Sequence, residues 1–423
     1  MTILELLERA AAERPDATAL AWPAEDGVRG VGWEEFTAGV RDMAAGFRSI
    51  GIRDGDRVAI VMPNCPELLY VELGVIAAGG VAVSIDPAYQ TSFLRHSLAG
   101  SSFRFKVVAG DKILGRTEFA GFLDVELILA RDPLRRIPPR PVMSLKELTQ
   151  RGAQAASGLP NRDPSATSKL ALTAGCTHLV KQVALSQTAM LAAGRGLASA
   201  LSLGAGRTYL SMSHLSSSWT LQEFLACAHS GARFSFMEYA PHPTEFMRGL
   251  ALLRPDVLRM SRDGLLEEFH AMFDPTLDDR YWALGLKLRL GATLARICSW
   301  GVGMLPRSAT RSLCSDVLNR LLLGGISRLV VSGGTLPGPV SSLLAGLGAQ
   351  VSNSYGLTEA CGFVTVAPAG STHLGKPLPG VGMEVSEDGE IVLSGPTLMS
   401  GYAGVPRGAA CVLDDGQLRT RDL

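Results

Sequence analysis

The sequence predicts an α/β fold, and three observations carry that prediction. As far as Val108, short apolar strand segments alternate with stretches of helical spacing, the pattern of parallel βαβ units. From Gly375 the texture changes to short alternating segments separated by glycines, which reads as a small β-barrel or meander. With 423 residues, 47% of them hydrophobic and 19% charged, the chain can bury more than one core.

Each element has a local reason. Met1 to Arg9 places acids among leucines and reads as an amphipathic helix; Ala17 to Trp22 follows as a strand. Trp33-Glu34-Glu35-Phe36 opens a helix that runs to about Ile50, and Gly51 to Asp56 makes a turn. Arg57 to Met62 is a strand closed by Pro63-Asn64-Cys65-Pro66, Glu67 to Ala78 is helical, and Val81 to Ile85 and Phe103 to Val108 are strands. The prolines and arginines of Arg131 to Arg140 form a surface loop. Leu170-Ala171-Leu172 is a short strand, Ser186 to Leu201 a helix, Tyr209 to His214 a strand ending on a histidine, and Leu221 to Ser230 a helix. Residues 255–323 read as mostly helical. Arg328 to Ser332 is a buried strand, followed by a helix from Val340 to Leu347 and a strand from Gln350 to Ser352.

Composition excludes several functions. Forty basic residues balance forty acidic ones, so no overall field draws the chain to nucleic acid or to anionic membrane. Seven scattered cysteines without a C-x-x-C pair argue for reduced thiols in a cytoplasm, against a zinc site or a disulfide frame. The N-terminus has no basic run or cleavage site, and the most apolar stretch, Val75 to Ile85, is too short to span a bilayer.

Between the Leu170–Leu172 strand and the helix at Ser186 lies Thr173-Ala174-Gly175-Cys176-Thr177-His178-Leu179-Val180-Lys181-Gln182. A strand, then small and hydroxyl residues, then a lysine is the layout of a phosphate-gripping loop. Here the loop keeps one glycine, and His178, Val180 and Gln182 are bulkier than such loops normally hold.

Four stretches together resemble the adenylate-forming superfamily of acyl-CoA synthetases, peptide-synthetase adenylation domains and luciferases. They are that loop, which aligns with Thr-Ser-Gly-Thr-Thr-Gly-x-Pro-Lys-Gly; Ser332-Gly333-Gly334-Thr335-Leu336; Tyr355-Gly356-Leu357-Thr358-Glu359; and Gly389 to Gly395 with Gly401-Tyr402, ending in Thr420-Arg421-Asp422. The third matches the family's Tyr-Gly-x-Thr-Glu in full. Met62 to Glu67 and the insertion before Arg328 are similar to the long-chain acyl-CoA synthetase branch. The resemblance implies two stacked αβα subdomains within residues 1–365 and a β-barrel subdomain over 366–423. The sequence stops at the hinge, so the family's mobile C-terminal domain is expected to be absent from it.

By the same resemblance Gly334, Thr335 and Leu336, with Asn353, Ser354 and Gly356, line the adenine, and Tyr355 lays its ring on the base. Thr358 bonds the α-phosphate, Glu359 holds Mg²⁺, and Asp422 accepts the ribose hydroxyls, although Arg421 stands where the family has glycine. Thr173, Gly175, Thr177 and Lys181 are what survives of the phosphate grip, Thr173 and Lys181 being the nucleotide contacts expected of it. His214, Trp219, Gly333, Gly356 and Gly362 are candidates for the acyl pocket, with His214 beside the reacting carboxylate. His214 and Trp219 could equally be packed core residues.

The departures cluster on the pyrophosphate side. Ala174 and Cys176 replace hydroxyl residues, and losing two hydrogen bonds to a charged group costs about 3–6 kcal/mol, on the order of 10² to 10⁴ in binding or rate. His178 and Gln182 replace glycines, and Val180 replaces a proline. The expectation is an acyl-CoA ligase-like enzyme that takes a hydrophobic acid or its acyl-AMP and performs thioesterification with coenzyme A, adenylation being weak or lost. Mg-ATP is then a cofactor only if adenylation is retained. A separate adenylating ligase would supply acyl-AMP, an arrangement that fits natural-product pathways, and a homodimer is allowed. The rivals are a conventional ATP-dependent ligase and a non-catalytic acyl-adenylate-binding scaffold.

Overall fold

The computed structural model describes residues 1–98, 101–116, 124–135, 138–155, 158–160, 162–173, 181–238, 242–273, 325–337, 340–341, 344, 349–371, 373–404 and 416–422. The phosphate-loop segment 174–180 and residues 274–324 of the stretch predicted as mostly helical lie outside them, as does most of the helix predicted from Val340.

Local sequence sets the first helix, α1 (Ile3–Glu13). Thr2 Oγ1 accepts from the Glu5 amide and the Glu5 carboxylate accepts from the Thr2 amide, a reciprocal cap, while Ile3, Leu6, Leu7 and Ala10 are buried. The chain then runs through β1 (Thr18–Ala24), β2 (Gly27–Gly32), α2 (Trp33–Ser49), β3 (Arg57–Val61), α3 (Pro66–Ala77), β4 (Val81–Ile85) and α4 (Thr91–Ser97). β5 (Phe105–Val108), α5 (Asp111–Arg116), β6 (Leu127–Ala130), β7 (Val142–Ser144) and α6 (Leu145–Gln154) follow. The middle of the chain contributes β8 (Thr167–Thr173), β9 (Lys181–Ser186), α7 (Gln187–Ala200), β10 (Thr208–Ser211), α8 (Ser218–Ser230), β11 (Arg233–Phe236), α9 (Pro243–Leu253), β12 (Val257–Ser261) and α10 (Arg262–Phe273). Beyond these come β13 (Arg328–Ser332), β14 (Gln350–Leu357), a 3₁₀ turn over Thr358–Ala360, and β15 (Gly362–Val366). The last strands are β16 (Lys376–Pro377), β17 (Gly382–Val385), β18 (Ile391–Ser394), β19 (Gly401–Tyr402) and β20 (Leu418–Arg419).

Among the described residues these strands form two large sheets and a small one. The nine-stranded sheet has the order β16-β15-β14-β13-β12-β10-β11-β1-β2, and the eight-stranded sheet the order β19-β9-β8-β4-β3-β5-β6-β7. The central strands of both are parallel, and antiparallel pairs sit toward the edges. β4 and β5 are buried along their whole length, as expected of parallel strands covered on both faces. The largest core cluster draws residues from both sheets and from α1, α2, α3, α7 and α8. Trp33, Phe36, Phe224 and Phe234 pack within it in tilted and edge-to-face contacts. This is the α/β architecture that the alternating segments predict.

Three departures have physical reasons. Lys181 to Ser186, read as part of a loop, is a strand because it pairs antiparallel with β8, Thr173 opposite Lys181 and Leu172 opposite Gln182. β12, inside the stretch read as mostly helical, is held in register between β10 and β13. Downstream of residue 366 the small sheet has three described strands, β17-β18-β20, while β16 and β19 are lent to the two large sheets.

Candidate active site

The ends of β4 and β8, the segment that follows β10 and the turn after β14 enclose a cavity of about 200 Å³. Ser84 and Asp86 line it from the end of β4, Ala171 and Leu172 from β8, His214 and Ser216 from the loop before α8, and Thr358 from the turn after β14. Two predicted residues, His214 and Thr358, therefore face one space.

His214 has a defined hydrogen-bond pattern. Its Nδ1 accepts the Ser216 amide proton at 3.1 Å and lies 2.7 Å from Ser216 Oγ. An accepting Nδ1 leaves the ring proton on Nε2 in the neutral tautomer. Nε2 faces Asp86, with 3.9 Å to Oδ1. Burial pushes the His214 pKa below its ordinary value, and Asp86 and a hydrogen bond with the Met62 backbone oppose this. The imidazole is neutral at pH 7.

Beneath it lies a charge pair that the sequence reading passed over. Lys169 of β8 and Glu72 of α3 are both fully buried, 2.6 Å apart. Lys169 Nζ also donates to the Ser216 carbonyl at 3.0 Å, and Ser84 Oγ donates to Glu72 Oε2. The pair anchors the same serine that holds His214. A lysine in the middle of a strand otherwise made of small and apolar residues was the available signal.

The residues assigned to the nucleotide form a second group. Tyr355 donates its hydroxyl to Asp422 Oδ2 at 2.5 Å. Burial, aided by that carboxylate, pushes the phenol pKa up, so it remains a donor. Asp422 is held by its own carbonyl, which accepts from Ile391, and by its amide, which donates to Thr420 Oγ1. Arg421 adopts φ +66°, the left-handed region that the family's glycine suits, and its amide donates to Glu390 Oε1. The substituted turn therefore still presents Asp422.

Glu359 accepts the Tyr402 hydroxyl at 2.8 Å, and Lys181 Nζ sits 4.7 Å from the centre of the Tyr402 ring. Tyr402 thus joins Lys181 to the carboxylate assigned to the metal, a contact that its motif in the sequence did not indicate. Among the described residues no three His, Cys, Asp or Glu side chains converge on a metal position. A lone carboxylate is compatible with Mg²⁺, which keeps several waters and takes further oxygens from phosphates.

One expectation is corrected. Gln182, read as a bulky residue of the phosphate loop, lies in β9, buried, with Nε2 donating to Ser97 O at 2.7 Å and Ser101 Oγ at 2.8 Å. The strand leaves it no need for a glycine conformation. Ala174 to Val180 lie outside the described residues.

The remaining candidates divide. The Ser354 hydroxyl donates to Val331 O and the Asn353 amide to Ser371 O, so both side chains brace β14. Thr335 and Gly333 are exposed, Leu336 packs on a separate core cluster, and Arg262 crowds Gly334. Gly356 and Gly362 are close-approach glycines: a Cβ on the first would run into the Gly362 carbonyl, and on the second into the Gln222 side chain. Trp219 packs edge-on to Phe363, ring centres 4.8 Å apart.

A model described as AMP-binding enzyme matches residues 7–403. The chain is 25% identical over 435 residues to the long-chain-fatty-acid–CoA ligase FadD15 of Mycobacterium bovis, covering 94% of this chain and 68% of that protein. In fold it is similar to the inhibitor-bound N-terminal domain of FACL13 from Mycobacterium tuberculosis, with a TM-score of 0.73 and 18% identity over 99% of this chain and 95% of that one. It is also similar to VinN, with a TM-score of 0.71 and 19% identity over 100% of this chain and 95% of that one.

Proposed function

The chain belongs to the AMP-binding enzyme family, and on that premise we propose that it binds an acyl-adenylate and transfers the acyl group to a thiol, with adenylate formation from ATP weak or lost. The observation that carries this reading is a contrast. On the AMP side, Tyr355 and Asp422 are hydrogen-bonded to each other, and Glu359 is held by Tyr402. On the pyrophosphate side, Ala174, Cys176, His178 and Val180 replace the hydroxyls, glycine and proline of the family pattern.

In this reading Tyr355 would stack on adenine, Asp422 would take the ribose hydroxyls, Thr358 would bond the phosphate and Glu359 would hold Mg²⁺. Bound coenzyme A would supply the attacking thiol. Neutral His214, which lines the cavity, would stand beside the acyl group without adding a charge. Ser216 and Asp86 orient that ring, and Lys169 with Glu72 fixes Ser216 from below. The acid is a hydrophobic one from natural-product metabolism, and a separate adenylating enzyme supplies its adenylate.

A second reading, the ATP-dependent ligase, is favoured by Lys181, which remains beside Tyr402 and Glu359. The test offers the protein either acid, Mg-ATP and coenzyme A, or synthetic acyl-AMP and coenzyme A, and assays acyl-CoA. Product from acyl-AMP alone supports the proposal. Product from acid and ATP refutes it in favour of the second reading, and none from either leaves a binding protein.

A further inference from the structure

We propose that Arg259 determines acyl specificity: packed against both Trp219 and Phe363 and paired with Glu223, it closes the inner end of the acyl pocket and restricts the protein to short or compact acids. The inference rests on the acyl-site reading above. It departs from the long-chain acid in the name of the FadD15 relative.

Arg259, on β12, is 5% exposed and Glu223, on α8, is fully buried. Arg259 Nε lies 3.3 Å from Glu223 Oε1, and Nη2 donates to Ser332 Oγ at 2.9 Å. The guanidinium carbon sits 5.3 Å from the centre of the Trp219 ring and 5.6 Å from that of Phe363. Burial drives the Glu223 carboxyl pKa up, and Arg259 with the Ser211 and Tyr209 hydroxyls opposes it. Two charges, two aromatic faces and three hydroxyls therefore converge on one buried point.

Three of the residues assigned to the acyl group, Trp219, Gly333 and Gly362, adjoin that point. Trp219 covers the guanidinium, Gly333 follows the serine that accepts from it, and Gly362 precedes Phe363 and is crowded by Trp219 Cα and Gln222. Gln222 locks that wall, accepting from the Phe363 amide at 2.6 Å and donating to the Phe363 carbonyl. An acyl chain passing Trp219 must lift Arg259 off both rings and leave Glu223 buried without its counter-charge. Breaking a buried pair this way weakens binding by about 100-fold or more.

The test uses N-acylsulfamoyl adenosines, stable stand-ins for acyl-AMP, carrying acetyl, butanoyl, octanoyl or hexadecanoyl groups, titrated calorimetrically. The expected wild-type profile binds the short analogues at least ten-fold tighter than the hexadecanoyl one. Arg259→Leu with Glu223→Leu, made together so that no lone charge is buried, raises the hexadecanoyl-to-acetyl affinity ratio at least ten-fold. Arg259→Met with Glu223→Gln is the second pair, and the wild-type profile decides alone if neither folds. A wild-type protein that binds the hexadecanoyl analogue as tightly as the acetyl one, or folded double variants with an unchanged ratio, overturns the proposal and leaves the adenylate-binding reading standing. Failure of every analogue to bind overturns that reading, and this inference with it.

Discussion

Lys169→Met is expected to cost about 3–5 kcal/mol of folding stability, because it breaks a buried ion pair by removing one partner. In the native protein the ammonium is fully buried between Glu72 Oε1 at 2.6 Å and the Ser216 carbonyl at 3.0 Å. Without it, among the described residues Glu72 retains the Ser84 hydroxyl donor and the Ser216 carbonyl loses the Lys169 donor, a loss of about 1–3 kcal/mol by itself. Combining Lys169→Met with Glu72→Leu replaces both charges by apolar groups and should return stability to within about 2 kcal/mol of wild type. Urea denaturation followed by tryptophan fluorescence gives the midpoints and slopes. Because Ser216 donates to His214 Nδ1, the single variant should also disturb the imidazole ¹⁵N shifts that report its tautomer. A single variant that loses less than about 1 kcal/mol, or a double variant worse than the single, refutes the assignment of an ion pair at this position.

Other outcomes follow from the site. Ala174→Ser, Cys176→Thr, His178→Gly and Val180→Pro together, with Gln182 retained for its bonds to Ser97 and Ser101, should raise pyrophosphate release by about 10² to 10⁴. A folded repair variant with unchanged release means the loop is not the lesion. Tyr355→Ala should weaken AMP binding by roughly 5- to 150-fold, the loss of one aromatic stacking platform, and equal calorimetric affinities would contradict the adenine assignment. Burial depresses His229 to about 4 and lowers His214. Since the unfolded chain binds these protons first, near its ordinary pKa of about 6.5, their contribution is intact above that pH and is lost as pH falls toward 4. The urea midpoint should therefore drop between pH 7 and pH 4.5, and His229→Gln should flatten the drop. A midpoint that rises on acidification contradicts the assignment.

How much was legible in the sequence differs by type of signal. β3, α3 and β4 were readable within a residue or two, because their apolar spacing and the flanking prolines and glycines act locally. β9 was not, since Lys181 to Ser186 becomes a strand only by pairing with β8, and pairing partners are set by tertiary structure. In the same way Gln182 read as an intruder on a glycine position, whereas its amide serves the end of α4. Tyr355 and Asp422 were legible as motif residues, but their mutual hydrogen bond spans 67 positions and no spacing rule reaches that far. Tyr402 stands in a motif stretch that gives it no contact, and Lys169 and Arg259 have no motif role at all. The sequence signal of these two is a charged group within a strand, which becomes meaningful once the partners Glu72 and Glu223 are seen beside them, as Glu359 is beside Tyr402.

The central claim is that this site keeps AMP and gives up ATP. Its most direct test is a calorimetric titration of the protein with AMP and, separately, with Mg-ATP. The account predicts that AMP binds and that Mg-ATP binds about 100-fold or more weakly, the equivalent of two lost hydrogen bonds to charged phosphate oxygens. Mg-ATP binding as tightly as AMP, with pyrophosphate released on addition of an acid, would contradict it.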